Sequence, residues 1–194
     1  MLNNNVDLAT LIVGILAFIG VVIEIIITVV NHQKDIEMQI VTSNRVAWMS
    51  ELRQNISKCC LSVNMLKKEE LQNWINEFEL YKHQTFLLLN YNDEKDNHIR
   101  SILNIIGQNL QNYAIVQEAD NKVSMNQLKE KLHLATDYLV KYVSIYLKCE
   151  WTRVKYFSKK GEKNKFNFNS KFDDYYSKVK EEMNALKNKV MGDE

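Results

Sequence analysis

Proline is absent from this 194-residue chain, and glycine occurs only at positions 14, 20, 107, 161 and 192. Sandwiches and barrels need turn-forming residues about every 8–12 positions, so a chain this poor in them is predicted to be all-α. Cysteine is limited to Cys59, Cys60 and Cys149, an odd number without CxxC spacing. That excludes a disulfide framework and a zinc site, and three unpaired thiols suit a reducing cytosol. Charge of one sign is lacking too: 25 basic and 24 acidic side chains leave a formal net charge of +1. A globally basic nucleic-acid binder is thereby excluded, although a local patch is not. There is no phosphate-cradling glycine loop, no GxSxG and no HExxH, and His32, His83, His98 and His133 stand apart. His133 and Asp137 read as a surface pair and Cys59–Cys60 as buried thiols. No catalytic residue, cofactor or metal ligand is expected, so the chain does not read as an enzyme.

What is present first is a long apolar run. Leu8 to Val30 contains one charge, Glu24. As a helix it would reach about 35 Å, enough to cross a hydrocarbon core of about 30 Å with some tilt. A cleavable leader needs a basic start, a shorter apolar stretch and a small-x-small site. MLNNNVD has no Lys or Arg, and TVVNHQK offers no such site. A single transmembrane segment over 1–31 is therefore predicted, followed by a domain over 32–194. Basic residues follow the span (Lys34, Arg45, Arg53) and none precedes it. The positive-inside rule places the N-terminus outside and the rest in the cytoplasm, with a bacterial inner membrane as the implied location.

The small and polar residues of the span form a seam. Thr10, Gly14, Ala17, Gly20, Glu24, Thr28 and Asn31 fall within roughly a 120° stripe of one helix. Small residues permit close helix contact, polar groups seek partners, and a carboxylate in lipid is costly. No second span exists here to cover them, so the predicted partner is another copy or another protein. Two readings stay open. In one, the copies form a non-conducting anchor or scaffold for a cytosolic complex. In the other, Thr10 to Asn31 line a pore with a ring of Glu24 carboxylates selecting cations. A wet lumen built from one helix per chain needs at least about four copies, so a homo-tetramer is favoured.

Beyond His32 the pattern is helical and reads as one bundle. Apolar residues recur at helical spacing from Ile36 through Leu52 and Ile56 to Leu66, again from Leu71 to Leu89, and from His98 to about Glu118. Asn90 to Asn97 (NYNDEKDN) reads as a loop. Ser124 with Gln127 predicts a capping box opening a helix that runs past Trp151. Ser170 with Asp173 predicts the start of a last helix, ending near Val190.

The C-terminal part carries the uneven charge. Residues 151–171 hold Arg153, Lys155, Lys159, Lys160, Lys163, Lys165 and Lys171 against Glu162 alone, with Trp151, Tyr156, Phe157, Phe166 and Phe168 between them. Cations can follow a phosphate backbone while rings stack on unpaired bases, which suits a single strand of DNA or another oligonucleotide. Arg153, Tyr156, Phe157, Lys159, Lys160, Lys163 and Lys165 are the candidate contacts. A solvated basic helix end with buried rings, or contact with anionic lipid headgroups, explains the same residues.

Residues 41–57, VTSNRVAWMSELRQNIS, carry Arg45, Trp48, Leu52 and Arg53 just after the span. In this motif and in architecture the chain resembles single-pass effectors of bacterial phage-defence operons, in particular the Hailong-type channel subunit. The resemblance implies a homo-oligomeric ion channel in antiviral defence, gated by a DNA oligomer that a nucleotidyltransferase partner makes. Read physically, Arg45, Trp48 and Arg53 are candidate assembly residues. Neighbouring copies would pack through Trp48 while the arginines pair with Glu51 or an anion. Ordinary packing within the bundle is the alternative.

Overall fold

The computed structural model describes residues 3–65, 70–119, 121–160 and 166–192, with side chains from Thr10 onward. Among these residues there are six helices and no strand. The first, α1 (Asn3–Asn64), is uninterrupted and is long and apolar enough to cross a membrane. Its Ile- and Val-rich stretch is a poor helix former in water. In hydrocarbon, every unpaired backbone group costs several kcal/mol, and the helix satisfies all of them internally. The boundary expected at 31/32 falls inside this helix, with no break in it.

The second half of α1 joins α2 (Leu71–Leu88), α3 (Glu94–Glu118) and α4 (Lys122–Lys160). α1 touches α2 and α4, and α3 touches the same two, so the four close into a ring around one core. Leu52, Ile56 and Cys59 of α1 meet Phe78 of α2, Ile99 to Leu110 of α3, and Leu132 to Leu139 of α4 in that core. α5 (Phe168–Ser177) and α6 (Lys180–Met191) lie on the outside of α4. The core begins at Met49, whereas Ile36 and Ile40, expected to continue the bundle face, are exposed.

Three helix starts differ from the sequence reading. α3 begins at Glu94 rather than His98, because Asp93 caps it by accepting from the N–H groups of Lys95 and Asp96. Glu94 and Asp96 then place negative charge at the positive end of the helix. The loop is correspondingly shorter than Asn90–Asn97. α4 begins at Lys122, because Asn121 and not Ser124 is the cap: its Oδ1 accepts from Ser124 N at 3.2 Å. Asn167 does the same for Ser170 N at 3.0 Å, so α5 starts at Phe168. The single last helix is two, separated at Lys178–Val179, and each half keeps contact with α4, burying Phe172 and Met183.

Candidate functional site

Two regions of α1 carry polar chemistry, and α4 packs against the second of them. Along the apolar run of α1, Thr10, Gly14, Ala17, Gly20, Glu24, Thr28 and Asn31 are all exposed, as are the Ile, Val and Phe18 side chains around them. A Cβ added at Gly14 or Gly20 would meet nothing within 4 Å. The stripe is therefore open along its length to whatever surrounds it.

The second region lies where α1 enters the bundle. Arg45 donates from Nε and Nη2 to the two carboxylate oxygens of Glu150, at 2.6 and 2.5 Å. Its guanidinium also sits 4.5 Å from the centre of the Trp48 ring. Glu150 is only 1% exposed, and burial pushes its carboxyl up while the Arg45 guanidinium opposes that shift. Arg153 Nε approaches the same carboxylate at 3.3 Å, and its guanidinium lies over Phe168. Trp48 Nε1 donates to the Leu88 carbonyl at 2.8 Å, and its ring packs against Tyr146. A cavity of about 620 Å³ opens between these groups, lined by Arg45, Trp48, Asp96, Tyr146, Glu150 and Arg153 among others. Asp96, 4% exposed, accepts from the Asn90 N–H at 2.7 Å, and burial raises its pKa. One turn on, Arg100 donates to the carbonyls of Phe86 and Leu89, placing a cation at the negative end of α2.

These contacts relocate the expected assembly residues. Arg45 pairs with Glu150 rather than Glu51, and both Arg45 and Trp48 are engaged inside the protomer. Arg53 stays exposed. Sequence reasoning gives no role to Glu150, Asp96 or Arg100, and takes Tyr146 only as an apolar position of the α4 face. Glu150 left a signal there, since it interrupts the apolar row of Leu139, Val143, Tyr146 and Val154.

The candidate nucleic-acid residues divide. Arg153 is half-buried against Glu150 and Phe168. The half-buried Tyr156 ring packs on Phe157 at 6.3 Å and Phe166 at 5.7 Å, so the rings expected to meet bases are partly covered. Lys159 is exposed, as is Lys155, which is not among the candidates and lies over the Trp151 ring. The Lys160 side chain, Lys163 and Lys165 lie outside the described residues. Among the described residues, no three His, Cys, Asp or Glu side chains are grouped to hold a metal ion. Cys59 is buried, and burial pushes its thiol far up, out of the reactive range.

Fold and site together define an all-helical protein in which one helix fit to cross a membrane runs without a break into a helical bundle. No family model, curated protein or solved structure matches the chain.

Proposed function

We propose that this chain is a membrane effector that assembles through α1 into a homo-oligomeric ion channel, a tetramer by preference, gated from its cytoplasmic bundle. The observation that supports this reading is the open stripe on α1. Its polar and small residues occupy one face, no other helix among the described residues is long and apolar enough to span and cover them, and a carboxylate left in lipid is costly. Copies packed with this face inward would cover every stripe at once and set the Glu24 side chains around a common axis. A role in bacterial antiviral defence, and a single strand of nucleic acid made by a nucleotidyltransferase partner as gating ligand, come from the resemblance. The exposed charges of Lys155 and Lys159 suit a phosphate backbone and anionic lipid headgroups alike, and Tyr156 and Phe157 favour nucleic acid less than expected, because their rings already pack on neighbours.

The test is conduction. Glu24→Gln keeps size and hydrogen-bonding capacity while removing charge. At matched oligomeric state it is expected to leave assembly intact and to shift the reversal potential in a salt gradient toward weaker cation preference. Identical conductance and selectivity in the two proteins would take Glu24 out of the pore and favour the non-conducting anchor.

A further inference from the structure

The register between α1 and α4 measures how far the basic end of α4 reaches. Arg45 meets Glu150, and three residues deeper Trp48 meets Tyr146, so the two helices run antiparallel. From Arg45 up to Asn31, α1 rises about 21 Å; from Glu150 to Lys159, α4 rises about 14 Å in the same direction. Lys159 therefore stands about 7 Å from the level at which the apolar run ends, a gap its own side chain can cover. The polar headgroup layer on each side of a bilayer is about 5–7 Å thick. Over its last two turns α4 carries Arg153, Lys155, Lys159 and Lys160 and no acidic residue. Arg153 is held by Glu150, leaving Lys155 and Lys159 as the exposed, described cations. At the same level α1 contributes Lys34 against Asp35 and Glu37.

We propose that the C-terminal end of α4 docks on the anionic headgroups of the membrane that α1 crosses, with Lys155 and Lys159 as the contacts. The inference rests on α1 being a span. It assigns this end of the molecule to lipid rather than to a polynucleotide. Each cation held near an anionic leaflet gains attraction that falls off within a Debye length, so contact depends on that short remaining distance. The helix end is also where backbone carbonyls leave partial negative charge, and the lysines offset it against the phosphates.

A fluorophore at Ser158→Cys in the full chain, reconstituted into nanodiscs, tests this, with a second label at Phe18→Cys reporting the span. With phosphatidylglycerol present, headgroup-attached nitroxide should quench the Ser158 label, and mid-chain nitroxide should quench the Phe18 label. In pure phosphatidylcholine, or in Lys155→Gln/Lys159→Gln, headgroup quenching should fall at least about twofold while Phe18 is unchanged. An unquenched Phe18 label removes the span and the docking with it. A quenched Phe18 label beside a Ser158 label indifferent to lipid charge overturns the docking alone. So does a Ser158 label that ignores anionic lipid but responds to a single-stranded oligodeoxynucleotide with steep salt dependence, which would return the surface to nucleic acid.

Discussion

Glu150 occupies a place in α4 where the neighbouring turns supply Tyr146 and Val154, and its carboxylate is almost wholly withdrawn from solvent. A buried charge persists only when paired, and here Arg45 makes the bidentate pair while Arg153 adds a second, looser contact. Removing one partner strands the other. Arg45→Ala is expected to destabilise the bundle by about 3 kcal/mol, near the lower end of the range for a broken buried pair because Arg153 remains. Thermal unfolding in detergent followed by circular dichroism measures this. A loss no larger than that of Arg53→Ala, an exposed arginine on the same helix, would show that the pair contributes nothing. The interrupted apolar row makes Glu150 legible as an anomaly. Its partner is not legible, because Arg45 lies 105 residues away and nothing local directs that arginine to Glu150 rather than to Glu51.

At the scale of elements, the helices themselves were legible and their first turns were not. Ser124 and Ser170 look like caps, yet each sits three residues into its helix and donates its backbone N–H to the asparagine that does the capping. Asparagine and serine have similar cap preferences, so spacing alone could not choose between them. The packing of α5 was equally hidden, and it has a consequence for pH. Phe172 of α5 packs against Tyr142, which contacts His98 at 4.5 Å, while His98 Nε2 lies 2.7 Å from the Tyr138 hydroxyl. Burial, then Lys187 and Lys95, lower the His98 pKa to about 4. The folded protein therefore keeps this ring neutral where the unfolded chain, with its pKa of about 6.5, takes up a proton. Stability from His98 is complete above about pH 6.5 and is lost as the pH falls toward 4. The raised carboxyls of Asp96 and Glu150 act in the opposite sense, so the comparison must be between variants. Wild type should exceed His98→Asn in melting temperature at pH 7, with the gap narrowing by pH 4.5. A gap independent of pH would leave His98 a packing residue only.

For the whole molecule, the all-α class follows from missing turn residues, and the candidate span from one apolar run. The closing order of the bundle does not, since which helix lies beside α1 depends on side chains far apart in the chain. That order places the α4 end beside the span. It also means that α1 belongs at once to two bodies, an apolar run long enough to cross a membrane and the bundle, with no joint between Asn3 and Asn64. Such a helix behaves as a shaft: turning the bundle turns the stripe. A residue inserted between His32 and Gln33 would rotate one body against the other by about 100° and lengthen the shaft by about 1.5 Å. Seven inserted residues would restore the angle to within about 20° while adding about 10 Å. If conduction depends on angular phase, ion flux from reconstituted vesicles should be lost with one inserted alanine and recovered with a seven-residue helical insert. The longer variant should meanwhile lose its headgroup contact, because the α4 lysines no longer reach. Equal flux from both variants would show that torque is not what the shaft transmits.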